Sequence, residues 1–194
     1  MLYADLVAAS NEVAATKKRS EKVARLAVCL EQLQPAERTP AVYMLAGLMQ
    51  QGRLGVGYRA VFGGEPVAAA TEPSLSIIDV DATLSTVAAS KGKGSVTKKK
   101  ELLAGLLAKS TSAEQEHLKS LLVQNVRQGA LESLVLDAVA KAAKVTAKKL
   151  RRARMLAGRL DAITQAAFTE GDEALAQFGI ELFRAVEPML ASPA

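Results

Sequence analysis

The sequence predicts a compact all-α domain of roughly ten helices, arranged as two similar helical halves. Three observations predict it. Apolar residues recur at helical spacing along most of the chain, as in Val23, Leu26, Ala27, Leu30 and Leu33. The core alphabet is Ala, Leu and Val, with aromatics at 4 % and no Trp, which suits closely packed helices. Third, a weak internal repeat links Ala36-Glu37 to Ala113-Glu114, Leu45 to Leu122 and Gly52 to Gly129 at one offset.

The elements follow in order. Tyr3 to Ala15 reads as a helix with Leu6, Val7 and Val13 inward, followed by a basic turn at Lys17-Lys18-Arg19. Ser20 to Leu33 is a clearer amphipathic helix, with Glu21, Lys22, Arg25 and Glu31 expected to face water. Thr39-Pro40 supplies a cap and a first-turn proline for the next helix. That helix carries Val42, Leu45, Leu48 and Met49, meets the glycine turn Gly52 to Gly57, and continues weakly through Val61 and Phe62. Residues 63–78 read as an irregular connection between halves at about 1–62 and 79–168. Asp79 to Ala89 forms a short helix before the loop Lys91-Gly92-Lys93-Gly94. Leucines at 102, 103, 106 and 107 then mark a helix, and Thr111 to Glu114 caps another that runs to about Val126. Ala130 to Ala143 is helical, Thr146 caps a helix to about Leu156, and Asp161 to Phe168 forms a further one. The polar stretch Thr169 to Gln177 reads as a loop.

Composition bounds the function. The 194 residues are 49 % apolar, which excludes general disorder. One cysteine, Cys29 in an apolar pattern, excludes an internal disulfide framework, and one histidine excludes a Cys/His metal cluster. No run of eighteen apolar residues occurs and the start lacks a signal-peptide pattern, so a cytoplasmic protein without membrane association is expected. Formal net charge is +5, and its distribution is uneven. Lys141, Lys144, Lys148, Lys149, Arg151, Arg152 and Arg154 fall in fourteen residues without an acid. Such a field suits a polyanion, an acidic protein or an anionic surface.

Two basic glycine turns frame the helical hairpin from 91 to 129, and glycine lets backbone approach a phosphate that lysine and arginine neutralise. Arg53-Leu54-Gly55 echoes Arg127-Gln128-Gly129. Gly52, Gly55 and Gly57 have neither dinucleotide-fingerprint spacing nor a Gly-Lys-Ser/Thr phosphate loop. They fit a helix cap with a tight connection, or a backbone phosphate contact assisted by Arg53.

Taken together, these motifs resemble the N-terminal DNA-binding domain of bacterial ATP-dependent DNA ligases. The resemblance is carried by Arg53-Leu54-Gly55-Val56-Gly57, Asp81-Ala82-Thr83-Leu84, Gly94 to Lys100 with Glu101-Leu102-Leu103, Val126 to Gly129, Val135 to Val139, and Arg184 to Ala191. It implies a helical DNA-binding domain over 1–183 and a connector over 184–194 leading to a nucleotidyltransferase domain. Two departures stand out. Gly158-Arg159-Leu160-Asp161 replaces the family's Gly-Asp-Leu-Gly, and Gln128 replaces an apolar residue in the second turn.

The resemblance implies sequence-nonspecific binding of nicked double-stranded DNA, in replication, repair or recombination, by a monomer in the nucleoid. Its contact candidates are Arg53, Gly55, Gly57, Lys91, Lys93, Ser95, Thr97, Lys98, Lys99, Arg127, Gly129 and Arg159. The parent enzyme would use ATP and Mg2+ to form an enzyme-AMP, move AMP to a nick 5′-phosphate and join it to the 3′-hydroxyl. The adenylated Lys-x-Asp-Gly motif does not occur in these 194 residues, so no catalytic residue, cofactor or metal is assigned to them. The alternative is a helical module whose basic surface binds an acidic partner or a sliding clamp, or other repair proteins.

Overall fold

Helical periodicity and capping chemistry place ten helices among the described residues of the computed structural model, which are 1–57, 66–126, 132–183 and 186. They are α1 (Tyr3–Ala15), α2 (Arg19–Glu31), α3 (Pro35–Leu45), α4 (Ile77–Ala89) and α5 (Ser95–Ala108). α6 (Ser112–Leu122), α7 (Glu132–Ala142), α8 (Ala147–Ala157), α9 (Leu160–Thr169) and α10 (Asp172–Gln177) follow. No strand occurs among the described residues. The single β-bridge, Leu2 with Ser76, ties the chain start to the residue that caps α4. One hydrophobic cluster runs through all ten helices, so the core is continuous. α2 packs most extensively on α7, α3 on α9, and α4 on α5.

The repeat seen in the sequence is a repeat of structure. α3 and α6 are the same length and lie 77 residues apart at both ends, Pro35 to Ser112 and Leu45 to Leu122. Each opens with a capping box, Gln34/Glu37 in one and Thr111/Glu114 in the other, and each of those glutamates is buried. Each closes with the same pair of bonds. Gly47 N–H donates to Met44 O and Leu48 N–H to Tyr43 O; Gln124 N–H donates to Leu121 O and Asn125 N–H to Ser120 O. These are Schellman closures, and both Gly47 and Gln124 adopt positive φ, 70° and 53°. The preceding helices match as well: Leu26, Cys29 and Leu30 of α2 correspond at the same spacing to Leu103, Leu106 and Leu107 of α5, and all six are buried.

Several sequence expectations need correction. α3 starts at Pro35, not at Thr39-Pro40, because Gln34 and Glu37 cap each other and Pro35 takes the first helical position. Pro40 therefore lies inside the helix. α6 stops at Leu122 rather than Val126, since the left-handed Gln124 reverses the chain. Lys22 is buried, at 8 % exposure, on a helix that packs against both α1 and α7. The stretch 169–177 is not all loop. α10 forms there because Leu175 is buried on a surface shared with α8 and α9. Thr146 does not cap α8 with its side chain. Its N–H and hydroxyl instead donate to the Asp172 carboxylate at 2.7 and 2.6 Å, and with Lys149 nearby they hold that acid down to about 2. Val61, Phe62 and most of 184–194 lie outside the described residues.

Candidate nucleic-acid interface

The Schellman closure at Gly47 sends the chain out of α3 into an extended turn, Gln51 to Gly57, that makes no helix or strand. Three contacts fix its course. Val126 packs against Gly47, with only 3.4 Å between its Cβ and where a Gly47 Cβ would stand. The Gln51 amide donates to Asp81 Oδ1 at 2.7 Å, Asp81 O at 3.3 Å and Ser85 Oγ at 2.9 Å, all on α4. Lys99 Nζ, on α5, donates to Leu54 O at 2.6 Å. Leu54 itself is buried and anchors the turn in the core.

This leaves Arg53, Gly55 and Gly57 exposed on a concave surface that they share with Leu122, Val123 and Gln124. The end of α6 belongs to the second half of the repeat, so the first glycine turn and the approach to the second meet side by side. Arg127 and Gly129 follow one and three residues after Val126 but lie outside the described residues. Gly55 has φ of 64°, a backbone conformation that side-chain-bearing residues seldom adopt. It also leaves the Lys99 ammonium 3.4 Å from its missing Cβ.

The remaining candidates disperse. Lys91 and Lys93 are exposed on the loop before α5, and Ser95 and Thr97 lie in the first turn of that helix. Gly94 N-caps α5 without a side-chain bond, and the first turn carries no acid. Lys98 and Lys99 are neighbours in sequence but point about a hundred degrees apart on a helix. Lys98 borders a groove between α4 and α5 that also contains Asp79, Glu101 and Lys109, whereas Lys99 reaches the glycine turn. Arg159 N-caps α9, and its guanidinium is bound by Asp161, which raises its pKa. The Gly158 departure is absorbed locally, with Gly158 left-handed at the end of α8.

The dense basic stretch at 141–154 is partly paired within the fold, and Lys141, Lys144 and Lys148 stay exposed. Arg151 and Arg19 both grip Asp137, Lys149 pairs with Asp172 at 3.1 Å, and Arg154 with Glu132 at 2.6 Å. Arg152 donates to Phe178 O at 3.1 Å. Sequence reading sees seven unopposed cations because the acids that pair with three of them, Asp137, Asp172 and Glu132, lie outside the run. It also misses Gln51, Asp81 and Ser85 as supports of the turn, and Gln124 as a left-handed residue. Of these only Asp81 carried a signal, as part of a quoted motif.

Comparison with known proteins decides the family. Residues 59–140 match the family model described as DNA ligase N terminus. The whole chain aligns with a "Probable DNA ligase" of Rhodococcus jostii (strain RHA1), 45 % identical over 194 residues. It aligns equally with "Probable DNA ligase" proteins of Rhodococcus opacus (strain B4), at 45 %, and of Saccharopolyspora erythraea, at 47 %. The chain belongs to the bacterial ATP-dependent DNA ligase family, as its N-terminal domain. It covers 38 % of the length of each of those three relatives. Among the described residues of this ligase domain, no three His, Cys, Asp or Glu side chains gather where they could hold a metal ion. No helix among them is long and apolar enough to cross a membrane.

Proposed function

We propose that this domain grips duplex DNA around a nick without reading sequence, on behalf of a ligase that seals 5′-phosphate/3′-hydroxyl breaks with ATP and Mg2+. The observation that carries the reading is the junction of the two repeat units. Exposed Arg53, the open backbone of Gly55 and Gly57, and the end of α6 leading to Arg127 and Gly129 share one concave face. A glycine turn offers backbone N–H groups without side-chain bulk, and arginine neutralises phosphate; both position a protein on DNA without specifying bases. Few aromatics are available as stacking platforms, which argues for duplex over single strands. On the same reading, residues 1–183 are the binding unit and 184–194 a connector. The domain works as a monomer at the nucleoid in replication, repair or recombination.

The test is fluorescence anisotropy on two unrelated nicked duplexes and a single strand across a salt series. Arg53→Ala and Arg127→Ala should each weaken both duplexes by similar factors. Each should also reduce the salt slope by about 0.9, the value for one neutralised phosphate. Single-strand binding equal to duplex binding would refute the reading, and loss on only one sequence would indicate base readout. The runner-up, docking of an acidic protein or sliding clamp, rests on a basic field whose Arg151, Lys149 and Arg154 are already paired internally. Salt-resistant binding to such a partner would favour it.

A further inference from the structure

We infer that Lys99 is a positioning residue, not a phosphate contact. It holds the Arg53–Gly57 turn in the shape that the proposed DNA grip requires, and the inference rests on that reading. Three observations support it. The ammonium donates to Leu54 O at 2.6 Å, so its strongest contact is the turn's own backbone. It sits 3.4 Å from the position of a Gly55 Cβ, against the left-handed residue itself. Lys99 is half-buried, while Lys98 and Lys100 on either side are exposed. The repeat adds a fourth. The residue 77 positions earlier, at the same place on α2, is also a lysine, Lys22, and it is only 8 % exposed. The fold thus withdraws this lysine from solvent in both units, which an external anion contact would not need.

The chemistry explains why a lysine serves here. Leu54 O belongs to a segment with no ladder or helix to satisfy it, and an ammonium on a four-carbon stem can reach across from α5 to a single carbonyl. Its charge also lies close under the glycine turn, where it favours an approaching phosphate without touching it. Together with the Gln51 bonds to α4, it fixes the turn on both sides of Arg53.

The experiment compares Lys99→Met, Lys99→Arg and Lys100→Met in the whole chain, by anisotropy on a nicked duplex across salt and by backbone amide NMR relaxation. Lys100→Met removes one exposed charge from the same helix and sets the size of the general electrostatic effect. Lys99→Met should lower affinity about five-fold beyond that control, with the salt slope matching the control's. Backbone order parameters at 54–57 should fall, and Lys99→Arg should recover most of both losses. A slope lower by about 0.9 than the control, with unchanged order parameters, would make Lys99 a direct phosphate contact and overturn the inference. Lowered order parameters with undiminished affinity would also overturn it, since the turn's shape would then not serve binding. If the unaltered chain fails to bind duplex at all, the proposed grip itself falls, while the relaxation data still report whether Lys99 pins the turn.

Discussion

Acidification from neutral pH should remove about 3 kcal/mol of folding stability through one side chain, His117. This histidine sits on α6 against α1, 7 % exposed, with Nδ1 2.6 Å from the buried Tyr3 hydroxyl. Its Nε2 is buried and has no hydrogen-bond partner. Glu114, three residues earlier on α6, gives its Oε2 to the Thr111 N–H and hydroxyl and makes no hydrogen bond to the imidazole. Burial therefore lowers the imidazole pKa from 6.5 to about 4. The sign follows from the proton count. Between these values the unfolded chain binds a proton that the folded chain refuses, so stability falls as pH drops below 6.5 and levels off near 4. A gap of this size is worth about 3 kcal/mol, with about 2 kcal/mol already lost by pH 5. Urea titrations of the native chain and His117→Gln at several pH values would measure it. The glutamine keeps a partner for Tyr3 but cannot titrate, so its stability should fall less steeply between pH 6.5 and 4.5. Parallel curves for the two proteins, or a histidine NMR titration centred near 6.5, would refute the argument.

Two further predictions follow from positive-φ positions. Lys144 closes α7 with φ of 56°, its N–H donating to Lys141 O and the next N–H to Ala140 O. Lys144→Gly should relieve the left-handed strain and raise the urea midpoint by the equivalent of about 1 kcal/mol, with an unchanged m-value. Gly55→Ala should weaken duplex binding and destabilise the chain by about 1 kcal/mol, because alanine is strained at this φ and its methyl meets the Lys99 ammonium. A Gly55→Ala protein with native affinity and stability would mean that the turn tolerates a different shape.

The helices were legible because their signals are local. The apolar spacing of α2 and α5, the Thr111/Glu114 box and the glycine before α5 can be read from a few consecutive residues. Errors arose where a local signal had a rival or a distant partner. Thr39-Pro40 imitates a helix start, but Pro35 with the Gln34/Glu37 box stands one turn earlier and wins. Gln124 ends α6 in a conformation that glycine usually announces, so nothing in its identity marks the stop. In the 141–154 run the pairing of Lys149, Arg151 and Arg154 is hidden from the sequence because Asp172, Asp137 and Glu132 approach them only after α7, α8 and α10 pack. Within the candidate site, Arg53 and the glycines could be named from their types, while the roles of Lys99 and Gln51 depend on contacts 45 and 30 residues away.

The repeat explains why the first glycine turn lies beside the end of the second unit. A single unit, such as α1 to α3, ends in a Schellman closure that throws its turn outward from the C-terminus of the third helix. One such turn would present one arginine and a short stretch of backbone. In the duplicated arrangement, Val126, which follows the closure of the second unit, packs on Gly47, the closing residue of the first. The closures of the two units are thereby set against each other by an apolar contact rather than by charge. A side chain at position 47 would press on Val126, so glycine there serves both the left-handed closure and the approach of the units. The tethers from Gln51 to α4 and from Lys99 to the Leu54 carbonyl hold the Arg53 turn in place before any polyanion arrives, so binding need not supply the energy of ordering that turn.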